Sequence, residues 1–186
     1  MATKLNLGCG NEYKEGWINI DVNKKVKADI YHDLTKRFPF KDGYIDEILL
    51  DNVLEHIKKD YYFKFLKEIH RICKKGAKIH IYVPHFSGMY AFTHPTHYNY
   101  FGVGSFDIWK PEDTATGERY GDDKVRFDVK EEKLLFFHHN LTNFKFLSKL
   151  PINWIFNFGG RNYQQLWQKF YIWGFDEIYY QLEVIK

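Results

Sequence analysis

The feature that most constrains the fold is a short apolar run that ends in a glycine turn. The segment LNLGCGN places Leu5–Leu7 before Gly8 and Gly10, as at the end of a buried parallel strand. Glycine at such a turn lets a ligand approach the backbone where side chains would otherwise collide. Four more strand-like runs follow, each bounded by polar residues or glycine, at about residues 17–22, 28–31, 44–50 and 77–83.

A helix is predicted between the last two of these strands. Apolar residues from Asp60 to Lys75 recur at helical spacing. Asp60 suits the helix start, and Gly76 follows two lysines that suit its end. A strand, a helix and a further strand indicate a parallel sheet covered by helices. Weaker patterns predict a short helix at 105–109, an exposed loop at 110–124, strands at 126–129, 134–137 and 144–147, and a closing strand at 177–185.

Composition bounds the class of protein. The chain has 186 residues, of which 45% are hydrophobic and 27% charged, as expected for a single globular domain over residues 1–186. No run approaches the roughly 18 apolar residues of a membrane span. A net charge of +3 argues against a nucleic-acid partner. Two cysteines and an N-terminus without a secretory pattern favour the cytoplasm.

Aromatic residues are concentrated near the C-terminus, at 11 of the last 36 positions. We interpret residues at about 151–175 as an aromatic-rich insert in the single domain. Its wide apolar surface favours a homodimer, and contact with a membrane surface is the alternative. Because only three residues precede the first strand, a cover over any ligand site is expected from residues 85–101 and 151–175.

A carboxylate follows the glycine turn at the place that nucleotide sites use. Asp21 ends the second predicted strand, where doubly wound folds hold an acidic residue that accepts hydrogen bonds from ribose hydroxyls. A nicotinamide-dependent oxidoreductase would share this pattern, but Tyr13 stands at the third glycine position of its GxGxxG motif. The turn and Asp21 together predict a nucleotide-type cofactor.

Five blocks, in this order, carry a family resemblance: LNLGCGN, GWINID, ADIYHDL, FPFKDGYIDEILLDNVLEHI and RICKKGAKIHIYVP. Together they resemble class I S-adenosylmethionine-dependent methyltransferases, and more narrowly the small type 11-like methyltransferase-domain proteins. The resemblance implies an α/β, Rossmann-like three-layer sandwich whose mostly parallel seven-stranded sheet has an antiparallel C-terminal edge strand. It also implies an enzyme that uses S-adenosylmethionine to methylate an acceptor.

The resemblance assigns cofactor roles by position. The glycine turn would line the methionine part, Asp21 would bind the ribose diol, and Asp33 would meet the adenine. Asn6 stands where the family usually has an acidic residue, and the stretch before Asp21 is short for the usual helix, so a short helix or compact loop is expected. The cofactor residues so assigned are Asn6, Gly8, Cys9, Gly10, Asp21, Asp33, Leu34, Asp51, Asn52 and Leu54. These departures leave a catalytically inactive binding or scaffold protein as the alternative function.

Histidines supply the candidate acceptor chemistry. His56, in NVLEHI after the fourth strand, and His97 are candidate general bases. His85, His94 and Tyr98 are interpreted as substrate-binding residues. The spacing of His94 and His97 also suits two ligands of one metal ion, but no metal ligand is predicted. The acceptor is expected to be a small molecule or of glycan or lipid type.

Overall fold

In the computed structural model, which describes residues 2–111, 125–136, 152–170 and 174–186, seven strands form one mixed sheet. Their order across the sheet is 3-2-1-4-5-7-6. The first five strands pair with one another in parallel, whereas β7 is antiparallel to both β5 and β6. This confirms the predicted Rossmann-like α/β class. The strands are β1 Lys4–Leu7, β2 Ile18–Asp21, β3 Ile30–Tyr31, β4 Ile45–Asp51, β5 Cys73–Pro84, β6 Arg126–Leu135 and β7 Glu177–Ile185.

Four α-helices accompany the sheet in the described ranges: α1 Lys59–Ile72, α2 Met89–Thr93, α3 Ile152–Asn157 and α4 Gly160–Phe170. Two short 3-10 helices, Leu54–His56 and Asp107–Trp109, follow β4 and precede β6. The helix α1 buries Phe65 and Ile69 in the core, together with apolar side chains of β4, β5 and β7. Among the described residues, no helix has the length and apolar character needed to cross a bilayer.

The predicted boundary between α1 and β5 is wrong. The pattern extended the helix to Lys75, but α1 ends at Ile72 and Cys73 already pairs with Ile45 in the sheet. The register then shifts before Lys78 pairs with Glu47, and Gly76 adopts a φ of 77° in the irregular stretch. Glycine is used here inside a strand, because it tolerates the left-handed conformation of a bulge.

Other predictions differ in detail. Asp60 lies in the first turn of α1, whereas the N-cap is Lys58 and makes no side-chain capping bond. Residues 126–129 and 134–137, predicted as separate strands, belong largely to the single strand β6. The short helix near 105–109 is confirmed as a 3-10 turn. The candidate strand at 144–147 and most of the loop at 110–124 lie outside the described residues.

Loops replace helices in the first third of the chain. Among residues 2–58, the connections β1–β2, β2–β3 and β3–β4 contain turns and bends but no α-helix. The first of these is the compact loop that its length predicted. The carboxyl ends of β1 and β2 are therefore covered by loop residues, whose own hydrogen bonds determine the shape of that edge.

Candidate functional site

The carboxyl ends of the parallel strands bring the predicted site residues to one edge. Gly8 follows β1, Asp21 ends β2 and Asp51 ends β4. The strand order runs to one side from β1 to β3 and to the other from β4 to β5. Ligands of open α/β sheets bind at such a switch point, outside the carboxyl ends of the strands.

The glycine turn requires glycine at both positions. Gly8 and Gly10 have φ values of 65° and 49°, in the left-handed region that other residues rarely adopt. A Cβ atom at Gly8 would also lie 2.7 Å from Cγ2 of Val53. Cys9 is buried between them, and its backbone N–H donates to the carbonyl of Ile20 at 3.0 Å. The turn is therefore held against the segment after β4.

Two buried amides hold the loop that follows. Asn6 donates through Nδ2 to the Glu12 carbonyl at 2.8 Å and to Oδ1 of Asn19 at 3.0 Å. Asn19, which is fully buried, bonds the backbone of Lys14 and Trp17 and a carboxylate oxygen of Asp29. The amide of Asn6 is thus used in shaping the loop. Sequence reasoning missed Asn19, although a polar residue between two isoleucines of a strand was the signal.

Asp21 lies directly beside the glycine turn. Its Oδ2 accepts the backbone N–H of Gly10 at 2.8 Å, and its Oδ1 accepts that of Asn23 at 2.7 Å. Asp33 closes a turn of its own, because Oδ1 accepts from the backbone and hydroxyl of Thr35 at 2.9 and 2.7 Å. These bonds from Thr35 lower the pKa of Asp33. Both carboxylates therefore have backbone partners as well as unused acceptor lone pairs.

Buried and partly buried acidic groups surround the end of β4. Asn52 has a φ of 53°, and its amide donates to Oδ1 of Asp51 at 3.0 Å and to Oε1 of Glu177 at 3.3 Å. Leu54 is fully buried and belongs to the core. Glu55 is only 1% exposed, and neither of its carboxylate oxygens has a hydrogen-bond partner among the described residues. Its burial, with Glu177 and Asp51 nearby, raises the pKa of Glu55 to about 8.

Three of the predicted histidines meet beside Glu55. The ring centroids of His56, His94 and His97 are 4.7 to 5.4 Å apart. They line a cavity of about 260 Å³ together with Glu55 and Tyr90. Partial burial lowers the pKa of His56 and of His97, and the neighbouring histidines lower both further. Neutral imidazoles are therefore expected at pH 7, the form that accepts a proton or binds a metal ion.

The other two predicted substrate residues do not line this cavity. His85 is fully buried, and its Nε2 donates to Oε1 of Gln168 in α4 at 3.0 Å, while Nδ1 accepts from Ser87. Burial lowers the pKa of His85 to about 4. Tyr98 is 38% exposed, and the ammonium group of Lys58 lies 6.0 Å from its ring centroid. Sequence reasoning missed Glu177, which opens the strand β7 and bonds Asn52.

Comparisons with known proteins agree with this architecture. Residues 9–81 match the family described as methyltransferase domain. A protein of Methanocaldococcus jannaschii described as uncharacterized protein MJ0638 is 32% identical over 96 residues, which are 42% of this chain and 39% of that protein. The chain therefore spans about two-fifths of the length of this curated relative.

Solved structures extend the likeness over the whole chain. The chain is similar to a SAM dependent methyltransferase from Archaeoglobus fulgidus, with a TM-score of 0.58 and 18% identity over 98% of this chain and 86% of that one. It is also similar to the complex of the Haloferax volcanii Trm112 methyltransferase activator and a putative methyltransferase, with a TM-score of 0.57, 13% identity and coverage of 100% and 83%. Residues 9–81 are therefore similar to a methyltransferase domain, and the chain as a whole shares the fold of these solved structures.

Proposed function

We propose that the chain is an enzyme that transfers a methyl group from S-adenosylmethionine to a small molecule or to a glycan- or lipid-type acceptor. The observation that carries the proposal is the meeting of the Gly8–Gly10 turn, Asp21 and Asn52 at the switch point of the sheet. The turn would bind the methionine part and Asp21 the ribose. Asp33 and Leu34 would meet the adenine.

The chemistry of these residues fits that cofactor. Asp21 accepts two backbone N–H groups, and a carboxylate has about four acceptor sites, so lone pairs remain for a ribose diol. The carboxylates of Asp51 and Glu177 converge on Asn52 and favour a positive group nearby. When bound, S-adenosylmethionine supplies an electrophilic methyl group on a positively charged sulfur. Asn6 would affect cofactor binding indirectly, because its amide holds the loop after the glycine turn.

The chain's own part in the reaction is alignment and, for a hydroxyl acceptor, removal of a proton. The cavity beside Glu55 is placed to hold the acceptor, and a ring nitrogen of His56 or His97 would accept the proton. Glu55 lines the same cavity, and its burial raises its pKa to about 8, which favours the protonated form at neutral pH. It would therefore present a hydrogen-bond donor to the acceptor without adding charge.

Aromatic side chains beside the cavity support a glycan or lipid acceptor. Tyr90 lines the cavity, and Phe92 stacks on Tyr100 with ring centroids 4.6 Å apart. Phe92 is 62% exposed and Tyr100 48% exposed. Exposed aromatic faces of this kind bind sugar rings or acyl chains by burying apolar surface.

We propose that residues 1–186 form a single domain. A second exposed aromatic surface supports self-association of this domain. Trp154 and Phe158 of the α3 region are 64% and 71% exposed, with ring centroids 5.0 Å apart. We propose that this surface forms a homodimer, with contact to a membrane surface as the alternative. Cys9 and Cys73 are buried free thiols, which supports a reducing compartment such as the cytoplasm.

A thermal-shift titration with S-adenosylmethionine, S-adenosylhomocysteine and NAD tests the cofactor. At about 100 times its Kd, a ligand adds about 2.7 kcal/mol, or about 5 to 10 °C for a chain of this size. We expect shifts with both sulfur compounds and none with NAD. Asp21→Ala should abolish these shifts, whereas Asp128→Ala on the edge strand β6 should retain them.

The scaffold alternative rests on the hydrogen bonds already made at this edge. Asp21 holds Gly10, and Asn6 holds the loop through its only donor group. If the polar groups serve folding alone, no sulfur compound will shift the melting temperature at millimolar concentration. That result, with folded wild-type protein, would favour a non-catalytic binding protein over a methyltransferase.

A further inference from the structure

We infer that His56, His94 and His97 form a binding site for one divalent transition-metal ion, with Zn²⁺ as the expected ion. One ligand atom from each residue lies within 4.8 Å of the other two. Tetrahedral Zn²⁺ with Zn–N bonds of 2.0 to 2.1 Å needs nitrogens about 3.3 Å apart. Side-chain movements of about an ångström would close the set, and His94 is exposed, so the core does not block such a movement of its ring.

The outer hydrogen bonds select the nitrogen that binds. Oγ1 of Thr96 lies 2.8 Å from Nδ1 of His56 and 2.9 Å from Nδ1 of His94. Nδ1 of His97 lies 3.2 Å from the carbonyl oxygen of Ala91. Metal-binding histidines donate one ring N–H to such oxygen acceptors and bind the ion through the other nitrogen. A hydroxyl oxygen has two lone pairs and accepts from two rings, so Nε2 of all three histidines is available to the ion.

An independent feature of the same cavity also indicates a cation. Glu55 lines the cavity with the three histidines. It is 1% exposed, and both of its carboxylate oxygens lack a hydrogen-bond partner among the described residues. A buried carboxyl without a partner is costly, and a nearby cation or an ion-bound water would satisfy it. Glu55 is not one of the three proposed ligands. We therefore place it beside the ligands and not in direct contact with the ion.

Three imidazoles leave a fourth position of a tetrahedral ion open. Zn²⁺ sites with three protein ligands keep that position for water or substrate, whereas closed sites have four protein ligands. An ion here would occupy the lone pairs that His56 or His97 needs as a general base. The open position would then bind the acceptor oxygen and lower the pKa of its proton, which would pass to solvent as the oxygen takes the methyl group. This catalytic role rests on the proposed methyl transfer, but binding of the ion does not.

The test is metal binding by untagged protein, because a polyhistidine tag would itself bind the ion. Chelator-treated, dialysed protein is titrated with Zn²⁺ and with Co²⁺. We expect one equivalent of Zn²⁺ to remain after gel filtration, and Co²⁺ to give the visible absorption of a tetrahedral nitrogen site. His94→Ala should weaken binding by more than the 10- to 100-fold that an outer-shell change costs. Thr96→Val should fall within that 10- to 100-fold range.

The controls separate this site from other histidines and from loss of fold. His94 is exposed, so its removal leaves the core intact, and an unchanged melting temperature of the metal-free variant checks this. His80→Gln removes a histidine that bonds Tyr179 instead and should bind Zn²⁺ as the wild type does. Absence of a retained equivalent in the wild type, or equal binding by His94→Ala, overturns the inference. Neither result depends on S-adenosylmethionine, so the thermal-shift experiment judges the proposed function separately.

Discussion

The carboxyl edge of the sheet has two halves that differ in how their polar groups are hydrogen-bonded. The first half is formed by β1, β2 and the loops that follow them, and the second by the segment after β4 and the residues packed on it. In β2, Asn19 and Asp21 each have hydrogen-bond partners in the loops beside the strand. After β4, the buried carboxyl of Glu55 has none among the described residues, and three histidines present ring nitrogens to one another. The buried polar groups of the first half are therefore satisfied by hydrogen bonds, whereas the carboxyl of Glu55 in the second half is not satisfied by any described residue.

This difference has an energetic consequence. A satisfied buried polar group contributes about 1 kcal/mol per hydrogen bond, whereas an unsatisfied one costs about 1 to 3 kcal/mol. Removing polar atoms from the first half should therefore destabilise the protein. Replacing the buried carboxyl of the second half by a group that cannot ionise should stabilise the unliganded protein at high pH.

The largest effect is expected for Glu55→Gln, measured by urea unfolding with a chelator present. Burial, with Glu177 and Asp51, raises the pKa of Glu55 from 4.5 to about 8. The native state then keeps a proton that the unfolded state loses, so this contribution to stability falls as pH rises from about 4.5 to 8. The variant should match the wild type near pH 4.5 and be about 4 kcal/mol more stable at pH 8.5.

Glu68→Gln is the control of opposite sign. Hydrogen bonds from Arg71 lower the pKa of Glu68, so its contribution is present at neutral pH and is lost on acidification. Glutamine at this position should therefore destabilise the protein at pH 7. If Glu55→Gln gives the same change in free energy of unfolding at pH 4.5 and 8.5, the carboxyl is not held in a buried, protonated state.

Asn19→Ala should have the next largest effect, about 3 kcal/mol of lost stability. The change removes bonds to Lys14 and Trp17 and leaves the buried amide of Asn6 without one of its acceptors. Asn23→Ala, at an exposed asparagine whose side chain accepts the backbone N–H of Lys25, should cost less than about 1 kcal/mol. Equal losses in the two variants, measured by denaturant midpoint, would show that the buried network does not stabilise the first half.

The sequence predicted the parts of this fold that depend on local pattern. The runs that became β1, β2, β4 and β7 were identified within about a residue, because apolar strands next to glycine or polar residues are read from neighbours alone. The end of α1 was missed because Cys73 pairs with Ile45, a contact 28 positions away that overrides helical spacing.

The sequence predicted the site residues that could be assigned by their position in the family's motifs. His56, His94 and His97 were identified as candidates, and the spacing of His94 and His97 suited one metal ion. The meeting of all three depends on the path of residues 85–97 over the sheet, which has neither helical nor strand period. His85 lies in the same stretch, yet its side chain is used to join the loop to α4 through Gln168. The residue type predicted a functional role for every histidine in this stretch. Only the packing of the loop distinguishes His85, which has a structural role, from the histidines that line the cavity.

The glycine turn gives the smallest stability effects and links the two halves. Gly8→Ala combines a φ of 65° with a Cβ contact of 2.7 Å to Val53, whereas Gly10→Ala has a φ of 49° and no heavy atom within 4 Å of the added Cβ. We expect losses of about 2 and 1 kcal/mol, respectively, in the free energy of unfolding.

Adding Val53→Ala should recover about 1 kcal/mol of the Gly8→Ala loss in a double-mutant cycle and none of the Gly10→Ala loss. Additive losses at Gly8 and Val53 would mean that the turn and the segment after β4 do not constrain each other. Under the proposed function, a bound cofactor would approach the backbone through the open space around Gly10. Gly10→Ala should then weaken the thermal shift by S-adenosylhomocysteine more than it weakens the fold.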